Sequence, residues 1–83
     1  MKKQKPDTFS NQRFRELTEE FIQGDFDRAV LIRCYVDDKT IGELCGEFSL
    51  SESAVKRIVG KGGKKVFKLM EKEVIELERL LNQ

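Results

Sequence analysis

The chain has 83 residues, 37% of them charged and 39% hydrophobic, with six Phe, one Tyr, no Trp and no His. A chain of this size buries only about 60% of its unfolded surface, which allows one modest core; the apolar content is too high for a disordered segment, and no apolar run reaches the ~18 residues of a membrane span. The net charge of +1 hides a strong polarity, because residues 16–55 carry −7 and residues 56–72 carry +6, so a polyanion would meet the second segment and not the average.

Residues 1–9 read as a flexible basic tail. Met1-Lys2-Lys3-Gln4-Lys5-Pro6 has no apolar stretch behind it, so it is not a signal peptide, and a cytoplasmic domain over 10–83 is expected. The first helix is predicted from Ser10 to Gln23, with Phe14, Leu17 and Phe21 on one stripe and Gly24 as the stop. Asp25 is the expected cap of a second helix, Phe26 to Val36. The run Ala29 to Val36 is β-branched enough for a buried strand, but no second strand pattern exists to pair with it.

Asp37-Asp38-Lys39 reads as a turn. Thr40 and Glu43 have the spacing of a capping box and open a short helix to about Glu47. Ser51 is the expected N-cap of the next helix, which runs to about Val59 with Glu52 in its first turn. Gly60-Lys61-Gly62-Gly63 is expected to interrupt or end that helix. A long amphipathic C-terminal helix follows over 64–82, with Phe67, Met70, Val74, Leu77 and Leu81 at three-four spacing. The expected fold is all-α, with about five helices in a single domain.

The chemistry available is that of a binder. Without His, with acids spread over helix faces, and with Cys34 and Cys45 separated by ten residues among apolar neighbours, no nucleophile–base pair or metal-ligand spacing can be drawn. No enzymatic activity, cofactor or metal is expected, and the cysteines read as buried thiols.

Residues 40–59 hold the informative pattern. Leu44 and Phe48 would supply the inner face of a first short helix, Cys45 a small residue facing the second, Leu50 a plug for the turn, and Val55 and Ile58 the inner face of the second helix. In this stretch the sequence resembles the helix-turn-helix family, most closely the version in the fourth region of bacterial sigma factors and related phage regulators. The resemblance runs from Tyr35 to about Leu69, less than half of the chain. It departs from the family at Ser49, where many members have Gly in a left-handed turn, and at Gly60–Gly63, where such domains continue as helix.

The resemblance implies a sequence-specific, double-stranded DNA-binding transcriptional regulator whose second helix enters the major groove. Ser53, Lys56 and Arg57 then become the candidate base contacts, with Lys56 and Arg57 able to donate to guanine O6 and N7. Thr40 and Ser51, at helix N-termini, and Lys61, Lys64 and Lys65 become candidate phosphate contacts. Glu52 would be repelled by phosphate, so it accepts from a cytosine amine or favours the helix dipole. The same resemblance implies RNA polymerase as a partner, with the acidic segment 16–55 as a surface for it.

Two alternatives share the segment. Ile58 to Val66 is also similar to the Gly-x-x-Gly loop of the KH family, which grips single-stranded nucleic acid between two helices beside a three-stranded sheet. A protein-interaction module is the other. The apolar stripe of the last helix is wider than a small core needs, so packing on the first helix and homodimerisation through the exposed remainder are both open.

Overall fold

The computed structural model describes residues 9–82, and among these the chain is all-helical, with four helices and no strand. Helix α1 is Asn11–Phe21, α2 is Asp25–Tyr35, α3 is Ile41–Phe48 and α4 is Glu52–Leu81. None of them is long and apolar enough to cross a membrane.

Ser10 caps α1 by accepting from the Arg13 amide at 3.4 Å, and Phe14, Leu17 and Thr18 are its buried residues. The helix leaves the α conformation at Ile22, and Gly24 then takes φ +93°, a conformation that an L side chain rarely adopts. Gly24, not Asp25, is the N-cap of α2, and it makes no side-chain capping bond. Asp25 and Asp27 lie instead in the first turn, where the helix dipole favours acids. The β-branched run lies inside α2. Val30, Leu31, Cys34 and Tyr35 fall at three-four spacing and all face the core, which a strand could not arrange.

Asp38 turns the chain at φ 56°, and the Thr40–Glu43 capping box forms as expected. The Thr40 hydroxyl accepts from the Glu43 amide at 3.2 Å, and the Glu43 carboxylate accepts from the Thr40 amide at 3.1 Å. Those bonds, the backbone one first, hold the Glu43 carboxyl below its ordinary range. Ser49 occupies the left-handed region at φ 55°, ψ 44°, so Ser takes the conformation usually given to Gly. Ser51 caps α4 by accepting from the Ala54 amide at 3.2 Å.

The largest correction concerns Gly60–Gly63. The segment neither interrupts nor ends a helix, and α4 runs unbroken for 30 residues, which merges two of the five expected helices into one. Each Gly weakens a helix interior by about 1 kcal/mol relative to Ala. Packing against α2 supplies the compensation. A β-carbon on Gly62 would lie 2.5 Å from Leu31 Cδ1, and one on Gly63 would lie 2.7 Å from Tyr35 Oη. These two glycines let the α4 backbone approach α2 more closely than any side chain would permit.

The buried line of α4 is Val55, Val59, Gly63, Val66 and Met70. Phe67 is partly buried and joins a ring cluster with Phe9, Phe14 and Tyr35, centroids 5.0 to 6.1 Å apart. Phe9 is therefore packed rather than part of a tail, and the rest of the expected tail, residues 1–8, lies outside the described residues. Leu77 and Leu81 are exposed, so packing on α1 does not use the whole expected stripe. Two ion pairs brace the helices. Arg13 on α1 meets Glu73 on α4, and Arg33 on α2 meets Glu47 on α3 through two bonds of 2.8 and 3.2 Å.

Candidate nucleic-acid interface

The unbroken α4 sets the geometry of the basic segment. Arg57, Lys61, Lys64, Lys68 and Lys72 fall at intervals of four, three, four and four, which on a 3.6-residue period makes one stripe. It runs about 22 Å along the helix at 1.5 Å per residue. All five side chains are exposed. Ser53 begins the same face one turn earlier, and Gly60 lies within it with no atom near its missing side chain.

Most of the other cations are paired within the fold, with Arg15 and Arg79 the exceptions among the described residues. Arg13, Arg28, Arg33, Lys39 and Lys56 each have a carboxylate partner. Among the described residues, Arg57, Lys61, Lys64, Lys65, Lys68 and Lys72 have none. They repeat instead as like-charged i,i+4 pairs, each destabilising an isolated helix by about 0.2–0.5 kcal/mol. A polyanion relieves that repulsion. An internal salt-bridge network would have removed it within the fold.

The sequence-derived contacts do not all share this face. Lys56 is held by Glu52 at 2.8 Å one turn back, and this bond lowers the Glu52 carboxyl below its ordinary range. Glu52 is thus both a first-turn acid and the partner of an expected base contact. Lys56 must leave it to reach a base. The Ser51 and Thr40 hydroxyls each accept one capping bond, which leaves each hydroxyl proton available to donate. Thr40 belongs to the start of α3, a different element from the stripe.

Lys65 lies at the edge of the stripe, where it lines a groove of about 620 Å3 with Arg57, Lys61 and Gly62. Asp27 and Leu31 of α2 form the opposite wall, with Ile22 and Gln23 from the α1–α2 connection. No group of three or more His, Cys, Asp or Glu residues able to hold a metal occurs among the described residues.

Comparison with protein-family models, curated proteins and solved structures returns no match. The candidate interface therefore rests on the geometry of this chain alone.

The sequence puts Lys68 and Lys72 in the basic segment 56–72 expected to grip phosphates, without singling them out as contacts. Both carry the right charge at the right period, but a helix break at Gly60–Gly63 would have put them out of phase with Arg57. The helical state of that segment also removes the loop on which the KH-like reading depends.

Proposed function

We propose that this chain is a sequence-specific double-stranded DNA-binding protein and acts as a transcriptional regulator. In this reading α3, the Ser49–Ser51 turn and the start of α4 work as a helix-turn-helix, with the first turns of α4 entering the major groove. Ser53, Arg57 and, once released from Glu52, Lys56 contact base edges. Lys61, Lys64, Lys65, Lys68 and Lys72 hold phosphates as the helix leaves the groove, and Ser51 and Thr40 donate to phosphates at the two helix starts.

The observation that carries the proposal is the uncompensated cationic stripe on one unbroken helix, continuous with the outward face of its capped N-terminus. The two departures from the sigma-like pattern also lose weight, since Ser49 adopts the left-handed turn conformation and residues 60–63 continue the helix. An unbroken helix of this kind fits the major groove of a duplex, about 12 Å wide. Single strands are more often gripped by loops and stacking aromatics, and the exposed face of α4 between Ser53 and Lys72 carries no aromatic residue.

The test is a binding selection that offers random duplex DNA and random single-stranded RNA together. Enrichment of duplexes sharing one short motif is the expected outcome. Enrichment of RNA sinks the duplex reading. Enrichment of neither would turn attention to RNA polymerase or another protein as the partner.

A further inference from the structure

Beyond Met70, α4 leaves the core and continues for about three turns. Val74 there is half-buried and the apolar residues beyond it are exposed, with Ile75 at 55%, Leu77 at 62%, Leu80 at 69% and Leu81 at 77%. Val74, Leu77 and Leu81 extend the three-four spacing of Phe67 and Met70, so the uncovered stripe continues the face that the core covers lower down. An isolated helix of this length is marginal in water, and an overhanging apolar stripe is a ready docking ledge.

The charges beside the stripe discriminate between occupants. Glu78 and Glu71 flank it on one side and have no ion pair among the described residues, whereas on the other side Glu73 is held by Arg13 of α1 and Glu76 lies further round the helix. The cations of this arm, Lys72 and Arg79, project from the reverse face. A second copy laid antiparallel along the stripe brings Glu71 against Glu78, and a parallel one would set its own helices, which cover this face of α4 up to Met70, against those of the first. A helix with apolar residues at the same spacing and Lys or Arg on the flank facing Glu71 and Glu78 meets complementary charge along that edge.

We propose that the C-terminal arm of α4 docks a basic amphipathic helix of another protein, seated on Val74, Leu77 and Leu81 beside Glu71 and Glu78. The occupant is recognised by its chemistry, leucine-like anchors in the middle and cations at the rim. The contact is small, and its affinity is expected in the micromolar range typical of a transient encounter. The ledge lies on the side of α4 away from the cationic stripe, so the two surfaces can be occupied together.

The probe is a synthetic amphipathic peptide of about eighteen residues, long enough to form helix on docking, with Leu at the seam and Lys on both flanks. A mirror peptide has Glu for Lys, and a third has the basic composition with its leucines dispersed. Binding to the full chain is followed by fluorescence anisotropy, and self-association by sedimentation velocity. The basic amphipathic peptide is expected to bind at least about tenfold more tightly than either control and to weaken with salt. Leu77→Ser with Leu81→Ser should abolish that preference and leave circular dichroism and duplex binding unchanged. Equal binding of the dispersed peptide, or binding that survives the double substitution, would assign it to the acidic surface of α1–α3 and overturn the proposal. Concentration-dependent dimerisation that the same substitutions remove would overturn it in favour of a second copy.

Discussion

Gly63 sits directly against the ring of Tyr35, with its hypothetical β-carbon 2.7 Å from the phenolic oxygen and 2.9 Å from Cε2. Tyr35 is buried, so its ring has little room to give way. The pair, with Gly62 on Leu31, fixes the separation of α2 and α4, and through it the line along which the cationic stripe runs.

Alanine scanning of the glycines in α4 should therefore split by position. Gly60→Ala meets no neighbour and should stabilise the fold by about 0.5–1 kcal/mol through helix propensity. Gly62→Ala and Gly63→Ala gain the same propensity but overpack against Leu31 and Tyr35, for a net loss of about 1–3 kcal/mol. Urea unfolding of the three variants measures this directly. Equal effects at all three positions would contradict the close approach of α2 and α4.

Tyr35 provides a pH test, and as the chain's one tyrosine its signal is unambiguous. Burial pushes its phenol up to about 12 from an ordinary 10.0, with neighbouring Cys34 adding to the effect. The raised value means that the fold favours the neutral ring. Its contribution to stability is complete below about pH 10 and is lost as the pH rises through 12. Phenolate absorbance should titrate near 12 in the folded chain and near 10 in denaturant. A midpoint of 10 under native conditions would mean that the ring is solvated.

Salt dependence tests the length of the interface. Lys61→Ala with Lys64→Ala should weaken binding to every duplex and reduce the slope of log K against log salt by about one to two units. Lys68→Ala with Lys72→Ala should produce a similar loss if the stripe works as a whole. A normal slope for the second pair would confine phosphate contact to the first half of α4.

At the reading end, Arg57→Ala should cost about 1–3 kcal/mol on a preferred site and relax the choice of base. Glu52→Gln should act in the opposite direction. It frees Lys56 from its ion pair and removes a negative charge from the N-terminal end of α4, so affinity for all duplexes should rise several-fold, with less discrimination. Titration of matched and mismatched duplexes separates the two effects. A loss of affinity in the glutamine variant would show that Glu52 itself contacts a base.

The parts of the fold that depend on neighbours in sequence were legible in advance. Thr40 with Glu43, and Ser51 with its helix, are local hydrogen-bond rules, and both caps form as expected. The run Ala29 to Val36 was assignable to helix only because a strand lacked a partner, an argument from the whole chain. Gly60–Gly63 was misread because a helical glycine's meaning lies in what it faces, here Leu31 and Tyr35 on another helix. Periodicity likewise gives the stripe from Phe67 to Leu81 but not the point where the core ends, since Leu77 and Met70 look alike to a helical period. The candidate site carries the glycine misreading too: Lys68 and Lys72 stood only within the basic segment 56–72, and they share a face with Ser53, Arg57, Lys61 and Lys64 because α4 is continuous.

That continuity makes α4 a lever. Its fulcrum is the glycine crossing with α2, with Ser53 about 14 Å to one side and Leu77 about 21 Å to the other at 1.5 Å per residue. No hinge, proline or kink intervenes to absorb a tilt. A displacement of the far arm about that crossing would correspond to an opposite displacement of the near arm about a third smaller, and the glycine pair that first looked like a joint is where an unbroken α4 bears on α2.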